Sequence, residues 1–208
     1  GADGVIVWEW HLKDHLIQDF DSTKSNYGVV ADNPGKMDFN YVRDNRGDWI
    51  HANSIDYNPE LDQILVSSPF ISEVWIINHG ITSQEAAGPL GDIMYRWGNP
   101  IVYDRGTAED QRLFFNHDAR WVTAGYPGEG NITVFNNGQG RTPDPYSTID
   151  EWTPPVNPDG TYPLDPGGIY GPEATTVLYQ SDPVTVFYSS GLSGVERQPN
   201  GNTLFCKG

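Results

Sequence analysis

The chain has 208 residues, with 12 Lys+Arg against 28 Asp+Glu and a formal net charge of −16. That balance argues against nucleic acid and anionic membrane surfaces as partners, because few cations are available to meet phosphates. No apolar run approaches the roughly 18 residues that a membrane-spanning helix needs.

Seven Trp and eleven Tyr beside 23 Gly and 16 Pro suit short strands joined by tight turns. In chain order, strands are expected at Val5–Trp10, Trp49–Tyr57, Gln63–Ser67, Glu73–Ile77 and Ile93–Trp97. A second set runs over Phe114–Val122, Asn131–Phe135, Ser147–Trp152 and Thr175–Tyr179, and a third begins with Thr185–Ser189 and Asn202–Cys206. Helical signal is confined to Thr82–Ala87, which opens like a capping box and stops at Gly88-Pro89.

The sets read as weak repeats. Each opens on a polar-studded strand, at His51-Ala52-Asn53-Ser54, His117-Asp118-Ala119-Arg120 and Ser193-Gly194-Val195-Glu196-Arg197, and continues with a β-branched or aromatic strand. Serial four-stranded antiparallel units make a β-propeller, with a sandwich or jelly roll as the competing all-β topology. Residues 1–208 are read as one propeller segment of roughly two complete blades with partial blades at both ends, so the chain is expected to be an incomplete ring. The Pro-rich stretch from Pro143 to Pro172 reads as an insertion that breaks the period.

Among the candidate site residues, His51 and Asn53 are two apart and would share a strand face. The competing reading for His51 is a half-buried strand histidine bonded to a backbone carbonyl. His117 opens the next unit at the matching place. Trp49, Trp97 and Trp121 are candidates to wall a pocket for an aromatic ring. His11 and His15 flank Asp14 at helical spacing, but Trp8-Glu9-Trp10 reads as a strand and no third ligand follows, so no metal site is assigned. Cys206 lies in the apolar run Thr203-Leu204-Phe205-Cys206 and reads as a buried, inert thiol. The many carboxylates leave Ca²⁺ open as a ligand.

Several stretches together carry a resemblance. They are Trp8-Glu9-Trp10-His11, Asp48-Trp49-Ile50-His51-Ala52-Asn53-Ser54-Ile55, Tyr95-Arg96-Trp97-Gly98-Asn99-Pro100, Asn116-His117-Asp118-Ala119, Val134-Phe135-Asn136-Asn137-Gly138 and Arg197-Gln198-Pro199-Asn200-Gly201-Asn202. In order and spacing they resemble the arylsulfate sulfotransferase family, in its soluble bacterial branch. The resemblance implies a six-bladed propeller that moves a sulfuryl group from an aryl sulfate ester to a phenol without a nucleotide sulfate donor or other cofactor. It implies small-molecule partners, export to the periplasm or beyond, and a transiently sulfated histidine. Carried onto this sequence, it points to His51, His117 and Arg141 as the catalytic and sulfate-holding groups; Asn53 by its strand face, Arg197 as an anion-binding cation and Trp121 as an aromatic wall are the further candidates beside the substrate. Sulfuryl transfer asks for such groups, since charge develops on the equatorial oxygens while attacking and leaving oxygens lie in line.

One departure stands out. The family's sulfated histidine is expected on a later blade, yet no histidine follows His117, and Ser193, Glu196 and Arg197 occupy the corresponding region. Two other functions stay open: a non-catalytic propeller used for binding or assembly, an oligomer included, and a calcium-dependent hydrolase on the same scaffold.

Overall fold

A computed structural model describes residues 3–42 and 47–208. The N-terminal part holds a short parallel pair, β1 (Leu16–Ile17) with β2 (Met37–Asp38). The first large sheet follows: β3 (Ser54–Asn58), β4 (Gln63–Ser68), β5 (Glu73–Asn78) and β6 (Tyr95–Trp97), antiparallel and in sequence order. The second repeats the plan with β7 (His117–Trp121), β8 (Ile132–Asn136), β9 (Thr148–Trp152) and β10 (Thr176–Tyr179). A hairpin of β11 (Gly194–Arg197) and β12 (Thr203–Cys206) comes last. The fold is all-β, with successive antiparallel units consistent with part of a propeller.

Local chemistry explains the turns. Between β3 and β4, Asn58 Oδ1 accepts from the Glu60 and Leu61 amides at 3.0 and 3.1 Å, closing the turn through the asparagine side chain. The helical signal at Thr82 becomes α1 (Ser83–Ala86), whose capping box is complete: Thr82 Oγ1 accepts from Glu85 N, and Glu85 Oε2 accepts from Thr82 N.

The main core lies between the two four-stranded sheets. Leu65, Val74, Ile76, Tyr95 and Trp97 of the first face Ala119, Trp121, Ile132, Val134 and Trp152 of the second. Trp97 and Trp152 stack with centroids 4.3 Å apart. The Pro-rich insertion packs back over the first sheet: Tyr162 Oη donates to Gln63 Oε1 at 2.7 Å, and Trp97 Nε1 donates to Pro172 O at 2.9 Å. A second cluster joins the first sheet to the N-terminal segment through Met37, Ile50, Trp75 and Ile77.

Four sequence expectations are corrected. Val5–Trp10 is not a strand; side chains fix it instead, with Trp8 Nε1 and Trp10 Nε1 donating to Ile81 O and Gly91 O. The polar opener around His51 is not extended throughout: His51 has φ +52° and β3 begins only at Ser54. Thr185–Ser189 holds no strand, because the Ser181 hydroxyl closes a 3-10 turn at Val184–Val186 by donating to Val184 O and accepting from Phe187 N. Cys206 is exposed rather than buried, since alternation along β12 sends Phe205 inward and Leu204 and Cys206 outward.

A wholly buried ion pair ties the N-terminal segment to the first sheet. Arg96 Nε donates to Glu73 Oε1 at 3.0 Å, and its Nη1 donates to Lys36 O at 2.9 Å. Both side chains have no exposed surface. Arg96→Met strands a buried carboxylate and is expected to cost about 3–5 kcal/mol of stability. An unchanged urea midpoint for this variant would contradict the role given to the pair.

Candidate functional site

The first strands of successive units, β3, β7 and β11, stand side by side but belong to different sheets. Their facing backbone groups cannot complete a ladder with each other, so side chains take over. Asn53 Nδ2 donates to Asn116 O at 2.8 Å, Ser54 Oγ accepts from Ala119 N at 3.0 Å, and Asp56 Oδ2 accepts from Trp121 N at 2.8 Å. One unit further on, Asp118 Oδ2 accepts from Val195 N at 2.8 Å, and His117 Nε2 accepts from Leu192 N at 3.2 Å. Matching the two rows aligns Ser54 with Asp118 and Asn53 with His117. The residue that corresponds to His51 is therefore Phe115, and both adopt left-handed backbone, at φ +52° and +59°. The expected match of His51 with His117 is off by one pleat.

His51 and His117 nevertheless lie at the same end of the strands, joined by a run of ring contacts. The His51 ring stacks on Phe70 at 4.9 Å; Phe70 lies 5.7 Å from Phe115, and Phe115 lies 5.8 Å from the His117 ring. His51 pairs through Nδ1 with Asp48. The rings are close enough for a charge on His51 to disfavour a proton on His117.

His117 is 7% exposed and has a partner on each ring nitrogen. Nδ1 lies 2.8 Å from Asn137 Oδ1 and 3.2 Å from Phe115 O. Burial pulls its pKa below the ordinary histidine value of 6.5, against the opposing pull of Asn137 and the Phe115 carbonyl. Near neutral pH this favours the uncharged imidazole.

The other candidates disperse. Asn53 turns from His51 toward the Asn116 carbonyl and serves the joint between units. Arg141 lies at the His117 end of the second sheet, but its guanidinium stacks over Phe114 at 5.0 Å and Tyr146 at 4.5 Å and donates to Tyr146 Oη and Thr148 Oγ1. Trp121 ends β7, roughly 13 Å from His117 at about 3.3 Å per residue, where with Tyr57, Val156 and Tyr162 it lines a separate cavity of about 360 Å³. Arg197 lies at that far end too, ion-paired with Glu151 and donating to Pro127 O at 3.0 Å. His15 is buried between Asp92 and Ala86 O, while His11 lies beside Glu9, so the two rings do not share one set of partners. Among the described residues no group of three or more His, Cys, Asp or Glu is arranged to hold a metal ion.

Sequence reasoning missed Phe70, Phe115, Asn116 and Asn137. Asn137 and Asn116 stand in stretches that carry the family resemblance, and nothing in the sequence marks them as partners of a histidine. Asn116 is fully buried, donating to Ser67 Oγ at 2.8 Å and Glu73 O at 3.2 Å.

The profile of the arylsulfotransferase (ASST) family matches residues 2–155. The chain belongs to that family. It is also similar to the arylsulfate sulfotransferase AssT of Lelliottia amnigena, 30% identical over 168 residues. The match covers 69% of this chain and 28% of that relative, so the chain spans well under half of the relative's length. The region matched by the family includes His51, His117 and Arg141 and excludes the β11–β12 hairpin.

Arg197→Ala is expected to lower stability by about 3 kcal/mol, by leaving the nearly buried Glu151 carboxylate unpaired, with no change in activity per folded molecule. Loss of activity at full stability would return Arg197 to the site.

Proposed function

We propose that the protein is a nucleotide-independent sulfotransferase that takes a sulfuryl group from an aryl sulfate ester and passes it to a phenol, with His51 and His117 holding the sulfuryl group for a histidine supplied by a later blade of the full-length protein. The observation that carries this reading is that His51 and His117 come to the same end of β3 and β7, linked by the rings of Phe70 and Phe115, in the part of the chain that matches the family.

An uncharged imidazole has one nitrogen lone pair outside the aromatic system. That nitrogen of the later-blade histidine attacks sulfur in line with the ester oxygen; an N–S bond forms as the S–O bond breaks, and the phenolate leaves with the electron pair. An acceptor phenol then attacks sulfur, the N–S bond breaks, and the phenol's proton passes to solvent or to the first phenolate. Splitting the transfer gives ping-pong kinetics. His51, oriented by Asp48, and His117 are the groups assigned to the sulfuryl oxygens. Phe70 and Phe115 offer the apolar wall against which an aryl ring packs. Nucleotide, metal and nucleic acid have no part in the scheme, and export to the periplasm or beyond belongs to the same proposal.

In the full-length protein, His117→Ala and His51→Ala are each expected to slow release of a coloured phenol from its sulfate ester on the order of a hundredfold or more. Turnover unaffected by both substitutions favours the non-catalytic module instead. Mass spectrometry of the full-length protein after donor treatment should find sulfation on a later-blade histidine and none on the peptide that contains His117.

The pH dependence has a definite sign. Burial holds the pKa of His117 below its ordinary value of 6.5. The neutral form predominates at pH 6.5 and above and gives way as pH falls through the depressed value. An NMR titration of the His117 ring is therefore expected to show its midpoint below 6.5; a midpoint above it would contradict the buried setting given to His117.

A further inference from the structure

A sulfate ester is an anion, and a chain of net charge −16 repels it. Some cation has to draw it in, yet most arginines among the described residues are committed elsewhere. Arg96 is sealed with Glu73, and Arg105 and Arg112 donate to backbone carbonyls. Arg141 packs on Phe114 and Tyr146, and Arg197 pairs with Glu151. Arg120 differs. Its side chain is 51% exposed, and only Nε is engaged, donating to Asp118 Oδ1 at 2.8 Å. Nη1 and Nη2 have no partner among the described residues.

The backbone brings this arginine to the His117 side. Three residues separate the two in sequence, which on a regular strand would send them to opposite faces. β7 is irregular between them. His117 stands opposite Phe135 and Arg120 opposite Thr133, so three steps on β7 match two on β8. The extra residue is a bulge, with Asp118 in left-handed backbone at φ +53°. Phe135 and Thr133 share a face of β8, and cross-strand partners point the same way. His117 and Arg120 therefore share that face, roughly 7 Å apart along the sheet at about 3.3 Å per residue. It is the face turned toward the next unit, since Phe135 packs with Val195 of β11. Asp118 does two jobs here. Its Oδ2 accepts from Val195 N in the joint, and its Oδ1 draws the Arg120 guanidinium back toward the His117 end.

We infer that Arg120 is a further substrate-binding residue: its Nη1 and Nη2 grip two oxygens of the donor's sulfate group beside His117, while Asp118 holds its Nε. A guanidinium fork matches two oxygens of such a group. The identity of the ester rests on the sulfotransferase reading above; the anion site does not.

In the full-length protein, Arg120→Gln is expected to lower kcat/KM for a chromogenic aryl sulfate about tenfold or more, as loss of a charge-assisted pair does. The KM of the acceptor phenol should stay unchanged. Arg120→Lys keeps the charge without the fork and should recover part of the loss. Wild-type kcat/KM for the donor should fall as salt rises from about 0.05 to about 0.5 M, because an exposed cation is screened, and Arg120→Gln should show a shallower fall. A lowered thermal midpoint, with donor and acceptor kcat/KM falling together and the salt dependence unchanged, would make Arg120 merely structural and overturn the inference.

Calorimetric titration with the aryl sulfate alone separates the site from the reaction. Donor binding that weakens about tenfold in Arg120→Gln, in a protein that transfers nothing, keeps the inference and removes the proposed function. Turnover whose donor kcat/KM is indifferent to Arg120→Gln keeps the proposed function and removes the inference. If Arg120→Gln does not fold, Arg120→Lys decides by the same contrast between donor and acceptor.

Discussion

The constraint that shapes this molecule is that β3, β7 and β11 lie side by side without sharing a sheet. Each is the first strand of its own unit, hydrogen-bonded on one edge only, and each presents backbone donors and acceptors toward the next. Left unmet inside the protein these groups would be costly. Asn53, Ser54, Asp56 and Asp118 meet them in register. The polar residues that mark each opener are thus first a joint between units. Chemistry is added to the joint where a histidine stands at one of its positions.

This explains why the site is so well determined. His117 occupies the place that Asn53 holds one unit earlier, so both ring nitrogens are engaged by the joint's own partners. Burial favours the uncharged ring, and Asn137 Oδ1 meets its Nδ1. His51 differs. It lies before its strand, half exposed, held by Asp48 and stacked on Phe70. One histidine is locked by packing, and the other faces the opening with a carboxylate behind it. Unequal environments of this kind let two residues of the same type take different roles.

The packing around the joint serves rigidity. The Trp97–Trp152 stack and the returning Pro-rich insertion clamp the outer edges of the two sheets. The Glu73–Arg96 pair fastens the N-terminal segment, and the carbonyl of that same Glu73 accepts from Asn116, next to His117. The groups around His117 are held by strands and buried bonds, as a reaction requiring in-line geometry needs.

The sequence by itself determined the strands and the order of the units. Period-two apolar runs, turn residues such as Asn58-Pro59 and the Thr82 capping box are local signals, and local physics sufficed for them. It also carried the family resemblance and the three openers. It misread Val5–Trp10, because β-forming residues become a strand only where a neighbour offers an open edge, and here tryptophan side chains hold the segment instead. It matched His51 with His117, because a left-handed residue before β3 shifts the pleat, and backbone sign at a non-glycine residue leaves no mark in composition. It marked Arg141 through the family resemblance, and Arg197 and Trp121 by the chemistry of their side chains. Only the tertiary structure decided that Arg141 packs on Phe114 and Tyr146, that Arg197 binds Glu151, and that Trp121 stands at the far end of β7. Asn137 was hidden for the same reason: what an amide does depends on which of its two ends meets which partner, and those partners come from segments distant in sequence and joined only by folding.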